Sequence, residues 1–162
     1  MSDVFEGILC PGTPEQVSNT VDRTAGGLSL KLRPLDNRVT AVYRSDVRNT
    51  SFSERINEVA QNLSKERGKA LLVRFDGRIS HRSSVLFVDG KEIRDFTEED
   101  EIYVLLGDRG KPLTEGRKFT FAEMAAADPD EEFATFCDAI QLGLDAFGIG
   151  TWEETMELVG TT

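Results

Sequence analysis

Histidine and cysteine are scarce in this chain, which has one histidine, His81, and two cysteines, Cys10 and Cys137. The cysteines are far apart, and neither a C-x-x-C nor an H-E-x-x-H pattern occurs, so the ligand spacing of a zinc site is missing. Two distant cysteines also give no disulfide framework, which favours a reducing compartment. We therefore expect no metal site and no cofactor.

Long apolar runs are also missing. The longest, at 102–106 and 70–73, are far short of the ~20 residues that span a bilayer. The chain begins Met-Ser-Asp-Val-Phe-Glu, which lacks the basic flank and the apolar segment of a secretory signal. These absences predict a cytoplasmic protein with no membrane partner.

Basic residues are absent from the last part of the chain, since none follows Lys118. Residues 1–94 carry 15 Lys and Arg against 12 Asp and Glu, a net charge of +3, whereas residues 95–162 carry 4 against 17, a net charge of −13. A segregated negative charge attracts basic partners and repels polyanions. We therefore expect a basic protein surface as the partner, and nucleic acid is disfavoured.

What the chain does contain suits one folded domain. Its 162 residues are 39% hydrophobic and 30% charged, with ten Phe, a composition that can fill a core. No repeat, low-complexity tract or long linker divides the chain, so residues 1–162 are predicted to form a single domain. Within it, residues 28–106 should form a sheet-plus-helix core and residues 119–162 an acidic helical C-terminal lobe.

Helix starts are marked by five patterns in which Ser, Thr or Asp is followed three residues later by Glu or Gln, the signature of a capping box. The five N-cap candidates are Thr13, Ser51, Thr120, Asp128 and Thr151. Glycines that predict helix ends follow four of these starts, at Gly26, Gly68, Gly148 and Gly160.

Apolar side chains at helical spacing predict one buried stripe in the segment 52–67 and another in the segment 129–147. The second stripe consists of Phe133, Phe136, Cys137, Ile140, Leu144 and Phe147. A shorter helix is predicted at 152–159.

Patterns typical of strands occur between residues 28 and 106, on both sides of the helix predicted at 52–67. Alternating residues at 28–32 and the segment 39–44 predict a hairpin, and further strands are predicted at 70–75, 85–88, 92–96 and 102–106. Asp89-Gly90 is a strong two-residue hairpin turn. The predicted fold class is α+β, with a mainly antiparallel sheet of about five strands and one packed central helix.

Cys10 is the sharpest candidate for chemistry, because a thiol just before a helix can have its pKa lowered by the helix dipole. The alternative is that Cys10 is a small core residue beside Ile8 and Leu9. Cys137 lies on the apolar stripe of its predicted helix and is interpreted as core. His81 is interpreted as a histidine in a solvated loop.

Arg74, Arg78 and Arg82 form the one concentration of basic residues and are candidates for a basic contact. We favour a structural role for them, in which they face the acidic lobe or protect a sheet edge. The acidic runs at 98–101 and 128–132 do not follow the ligand spacing of a calcium loop.

These observations favour a non-enzymatic interaction protein, such as an inhibitor, an immunity-type protein or an adaptor, that presents an acidic surface to a basic partner. The candidate partner-binding residues are Asp130, Glu132, Glu153, Glu154 and Glu157. The alternative is a small enzyme that uses Cys10, or carboxylates that only the fold brings together.

Overall fold

A computed structural model describes residues 4–35, 38–45, 52–107, 117–150 and 154–155. Nine strands, four α-helices and a short 3-10 helix, Glu98–Asp100, have their bounds within these ranges. In chain order the strands and α-helices are β1 (Val4–Pro11), α1 (Pro14–Thr24), β2 (Leu30–Pro34), β3 (Val39–Arg44), α2 (Arg55–Arg67), β4 (Lys69–Asp76), β5 (His81–Val88), β6 (Lys91–Phe96), β7 (Ile102–Leu105), β8 (Lys118–Thr120), α3 (Phe121–Ala125), β9 (Phe133–Cys137) and α4 (Ala139–Phe147).

The strands form two antiparallel sheets. The large sheet has six strands in the order β2-β3-β1-β4-β5-β6, and the small sheet has three in the order β8-β7-β9. The predicted α+β class with a mainly antiparallel sheet is therefore confirmed, although the sheet has six strands and the strand predicted at 102–106 belongs to the second sheet.

Helices cover both faces of the large sheet. On one face, α1 and α2 bury side chains such as Val17, Ile56 and Leu63 against Ile8 and Leu72. On the other face, three buried side chains of α4 pack on residues of β1 and β4: Ile140, Leu144 and Phe147. Strands β1 and β4 are thus buried on both sides, as in the middle layer of a three-layer structure.

The sequence patterns explain several elements directly. The capping box at Thr13 forms, because its hydroxyl accepts the N–H of Gln16 and the Gln16 side chain accepts the N–H of Thr13. The β5–β6 hairpin turns through Asp89 and Gly90, both at positive φ, as a two-residue hairpin turn requires. A further capping box forms at Thr120.

The predicted helix at 129–147 is wrong over its first half. Phe133–Cys137 is strand β9, and the helix begins only at Ala139, after Asp138 caps it by accepting the N–H of Gln141 at 2.9 Å. Phe136 is therefore 57% exposed instead of buried. The C-terminal region contains strands β8 and β9 as well as helices.

Helix α2 begins at Arg55, three residues later than predicted, and its N-cap Glu54 makes no side-chain capping bond. Ser51 and most of the helix predicted at 152–159 lie outside the described residues, although residues 154–155 are helical. Strand β1, at the centre of the large sheet, was not predicted.

Gly143 allows α4 to lie close to the sheet. A Cβ atom there would stand 2.1 Å from the Ser84 Oγ atom, a distance that real side chains do not tolerate. The Ser84 hydroxyl also donates to the carbonyl oxygen of Ala139 at 2.7 Å. No helix in the described ranges is both long and apolar enough to cross a membrane.

Candidate functional site

The acidic residues predicted to bind a partner fall at two places in the described chain. Asp130 and Glu132 are exposed in the connection between α3 and β9, and Glu154 is exposed in the short helical segment 154–155. Glu153 and Glu157 lie outside the described residues. The structure thus locates three of the five candidates.

The connection before β9 holds four exposed carboxylates, and we call residues 128–132 the acidic turn. Asp128 shapes this turn, since its Oδ1 accepts the N–H of Asp130 at 2.9 Å and its carbonyl oxygen accepts the N–H of Glu131 at 3.0 Å. None of the carboxylates of the acidic turn forms an ion pair within the part of the chain that the structure describes. Their negative charge is therefore available at the surface.

Strand β9 continues directly from the acidic turn. The N–H of Leu106 donates to the carbonyl oxygen of Glu132 at 2.8 Å, which attaches the end of the turn to the residue after β7. The Phe136 side chain of β9 is one of three large apolar side chains exposed in the described chain, and the Nζ atom of Lys118 lies 4.4 Å from its ring centroid. An apolar side chain thus lies on the strand that follows the free carboxylates.

The candidate basic residues are engaged within the molecule. Arg74 Nε lies 2.7 Å from a carboxylate oxygen of Glu6, and Arg78 Nη2 lies 2.9 Å from one of Asp76. The hydrogen bonds from Arg78 are the main reason why the pKa of Asp76 is lowered. These contacts neutralise much of the positive charge that the sequence concentrates here.

Arg82 joins the large sheet to the C-terminal region. It leaves β5 on the α4 face, where its Nη1 lies 3.2 Å from Asp138 and its Nε lies 3.8 Å from Glu101. Glu101 also accepts the Tyr103 hydroxyl at 2.8 Å. Burial, followed by the effect of this carboxylate, raises the pKa of Tyr103 to about 12. Arg82 therefore contacts one acidic residue, Asp138, of the region 119–162 that was predicted to be an acidic lobe.

Glu6 is the most deeply buried charged side chain near these arginines, with no exposed surface. Its carboxylate is held by Arg44 at 2.7 Å, by Arg74 at 2.7 Å and by the N–H of Ser53 at 3.1 Å. A buried charge is tolerated only when it is paired and hydrogen-bonded in this way. The cluster attaches the segment before α2 to the sheet, and no periodic pattern in the sequence indicates it.

Cys10 lies near the end of β1 and is fully buried. Burial raises the pKa of its thiol to about 12, an effect that nearby Arg67 only partly opposes. Since the thiolate is the reactive form, this environment argues against the nucleophilic role and agrees with a core residue. Cys137 is half-buried on β9, and burial raises its pKa as well.

His81 is not in a loop but is the first residue of β5. Because side chains two residues apart on a strand share a face, His81 and Ser83 lie together, with Nε2 3.1 Å from the serine Oγ. Both line a cleft of about 280 Å³ that also includes Arg82 and Glu98. Asp76 is the cross-strand partner of His81. The alternation of His81 and Ser83 was the sequence signal that could have revealed this pair.

No group of three or more potential metal-ligating side chains comes together within the described ranges. In the acidic turn, the Asp128 carboxylate accepts the N–H of Asp130, and all four acidic side chains are exposed.

The chain was compared with protein-family models, curated proteins and solved structures, and none of them matches it.

Proposed function

We propose that this protein is a non-enzymatic interaction protein that presents an acidic C-terminal surface to a basic partner, as inhibitors, immunity-type proteins and adaptors do. The observation that carries the proposal is the unequal pairing of charges. Arg74, Arg78 and Arg82 are bound to internal carboxylates, whereas the acidic turn is exposed and unpaired among the described residues.

Long-range electrostatics supports the same function. Residues 95–162 carry a net charge of −13, and such a field accelerates the encounter with a basic surface. The effect is strongest at low salt, because exposed charges are screened beyond about 8 Å at physiological ionic strength. The same field repels nucleic acid, so a basic protein is the better match.

Charge reversal of the acidic turn tests this function. The partner is first captured from the native cytoplasm with the tagged chain, identified and purified, and its association rate is then measured against ionic strength. The triple variant Asp130→Lys, Glu131→Lys, Glu132→Lys should associate about tenfold or more slowly at low salt and with a flatter salt dependence.

A matched control carries the same change in net charge at exposed acids elsewhere: Asp22→Lys, Glu92→Lys, Asp95→Lys. It should slow association much less, because the charges lie away from the acidic turn. Equal rates for the parent and the acidic-turn variant at low salt would refute the proposed function. A second triple variant, Glu153→Lys, Glu154→Lys, Glu157→Lys, asks whether the end of the chain belongs to the same surface.

A second candidate function, that of a small hydrolytic enzyme, rests on the Ser83–His81 pair in the cleft. A serine hydroxyl held by a histidine is the arrangement of an activated nucleophile. A fluorophosphonate probe should then label Ser83 in the parent, with labelling lost in His81→Ala and retained in Ser80→Ala, whose side chain lines the same cleft. Absence of labelling would remove this candidate and leave the interaction function.

A further inference from the structure

The outer edge of β9 differs from the other sheet edges. In the order β8-β7-β9, β9 pairs with β7 on one side, and within the described residues no strand pairs with its other side. A strand with one free edge offers backbone N–H and C=O groups to any chain that can pair with it. Natural proteins normally protect such edges with charges, proline or very short strands.

The remaining three edges are protected in this way. Strand β6 carries charges of both signs along its exposed length, at Lys91, Glu92, Arg94 and Asp95. Strand β2 carries two basic residues and ends in Pro34, and β8 has only three residues, one of them Lys118. Strand β9, with the sequence Phe-Ala-Thr-Phe-Cys, has five residues and neither a charge nor a proline. Its register with β7 shifts at Phe136, between the Tyr103–Thr135 and Ile102–Cys137 pairs, so the regular part of the free edge is residues 133–135.

We propose that β9 is the docking edge for an extended, Lys/Arg-rich segment of a partner protein, which joins the small sheet as a fourth strand. This inference rests on the proposed function and specifies how the partner is bound. Backbone hydrogen bonds along β9 supply the pairing, as in other cases of strand addition. The charges that flank the strand select the partner.

Acidic residues lie at both ends of β9. The acidic turn precedes the strand, and Asp138 follows it, where Arg82 and the N–H of Gln141 already bind its carboxylate. The unpaired charge therefore lies at the start of β9, and an added strand with basic residues at both ends meets it whichever direction it runs. A second copy of this chain would bring no basic residue to this edge, since neither the acidic turn nor β9 contains one. The acidic turn therefore favours a basic strand over self-association.

Phe136 provides the apolar contact of this edge. Its ring is 57% exposed, and Lys118 of β8 lies over it. An added strand would cover part of this ring with its own side chains. Burial of an exposed aromatic surface stabilises the complex, and Phe136 therefore gives a position at which the docking edge can be altered without removing a core side chain.

The test uses an end-blocked decapeptide of alternating Lys and Val as the probe, with its binding measured by calorimetry. The expected result is that Phe136→Lys weakens binding by about tenfold or more, because it places a protecting charge on the edge. Ile93→Lys is the matched control, since Ile93 is 59% exposed on the edge strand β6 and the charge change is identical. Circular dichroism confirms that both variants keep the fold.

Backbone pairing is tested with two N-methylated versions of the same peptide. One is methylated at the odd-numbered amide nitrogens and the other at the even-numbered ones, so each loses the hydrogen-bond donors along one of its two edges and keeps its charge. At least one of the two methylated peptides should lose binding, and the parent peptide should slow hydrogen exchange at Thr135. If methylation is tolerated and the two Lys variants behave alike, strand addition is overturned. Loss of binding in the acidic-turn triple variant alone would then still support the proposed function.

Analytical sedimentation tests the other possible occupant of the β9 edge, a second copy of this chain. A dimer of the parent chain that dissociates in Phe136→Lys but not in Ile93→Lys would show that a second copy occupies the edge, which overturns the basic partner.

Discussion

The large sheet and the small sheet differ in how their strands are buried. In the large sheet, β1 and β4 lie between helices on both faces, and side chains such as Ile8, Leu71 and Leu72 have no exposed surface. In the small sheet, every described side chain of β7, β8 and β9 is half-buried or exposed. The two sheets therefore depend on different interactions.

Contacts between aromatic rings stabilise the small sheet. Phe119 and Phe133 meet edge to face at 5.2 Å, and Tyr103 and Phe121 lie 6.4 Å apart. Such pairs each contribute about 0.5–1.5 kcal/mol beyond burial, far less than two covered sheet faces provide. Recognition surfaces are commonly built on the less stable part of a domain, and in this protein that part carries the acidic turn.

The two thiols give the largest expected contrast between the sheets. Cys10 is fully buried in β1 with its pKa raised to about 12, whereas Cys137 is half-buried in β9. Alkylation of Cys10 requires a large opening of the structure, so it should be roughly a thousandfold slower than alkylation of Cys137 at pH 8. Mass spectrometry of a time course measures both rates. Similar rates would mean that the large sheet opens as readily as the small one.

Glu6 should be the most sensitive polar position of the large sheet. Glu6→Ala removes the fully buried carboxylate that Arg44 and Arg74 share, and breaking a buried ion pair by removing one partner costs about 3–5 kcal/mol. Urea unfolding measures the loss. Asp95→Ala, at an exposed position of the edge strand β6, is the control and should change the free energy of unfolding by less than about 0.5 kcal/mol.

Truncation of an apolar side chain should also lower the free energy of unfolding by different amounts in the two sheets. Leu72→Ala removes a fully buried side chain of β4 and should cost about 2–5 kcal/mol. Phe136→Ala removes the larger side chain, but its exposure in β9 should keep the cost below about 1 kcal/mol. A cost for Phe136→Ala as large as that for Leu72→Ala would show that Phe136 is buried in solution, as the helical stripe predicted.

The sequence predicted the elements whose signals are local. Helix α1 follows from the Thr13 capping box, the β5–β6 hairpin follows from Asp89-Gly90, and the apolar stripe of α2 follows from its helical spacing. Each of these signals depends on residues that are close in the sequence, so it does not depend on how the rest of the chain folds. The cap pattern at Asp128 failed to predict a helix start, because its carboxylate accepts the N–H of Asp130 and shapes the acidic turn instead.

Strand β1 was missed because a strand buried on both faces shows no alternation of polar and apolar residues. Strand β9 was missed for a different reason, since Phe133, Phe136 and Ile140 happen to fall at helical spacing across two elements. Asp138 and Gln141 form a cap pattern inside the predicted helix, and this pattern marked the true start of α4.

The candidate site was predicted in part. Composition alone locates negative charge after residue 95, and the acidic turn is visible as a run of acids. The free edge of β9 depends on which strands are neighbours, and that information is tertiary. The Ser83–His81 pair lies within β5 and was missed because that strand was predicted only from residue 85. The pairing of Arg82 with Asp138 likewise joins residues that are 56 positions apart.

Asp138 gives the smallest expected effect and tests the connection between the two regions. Its carboxylate caps α4 through the N–H of Gln141 and also binds Arg82 of β5. Asp138→Ala should therefore cost about 0.5–2 kcal/mol, mainly from the lost cap. Asp130→Ala is the matched control, because Asp130 is exposed and forms no ion pair with any described residue, and it should be nearly neutral in urea unfolding. If Arg82→Ala lowers stability equally in the parent and in Asp138→Ala, a double-mutant cycle has measured no coupling, and the ion pair between the sheet and the C-terminal region contributes nothing in solution.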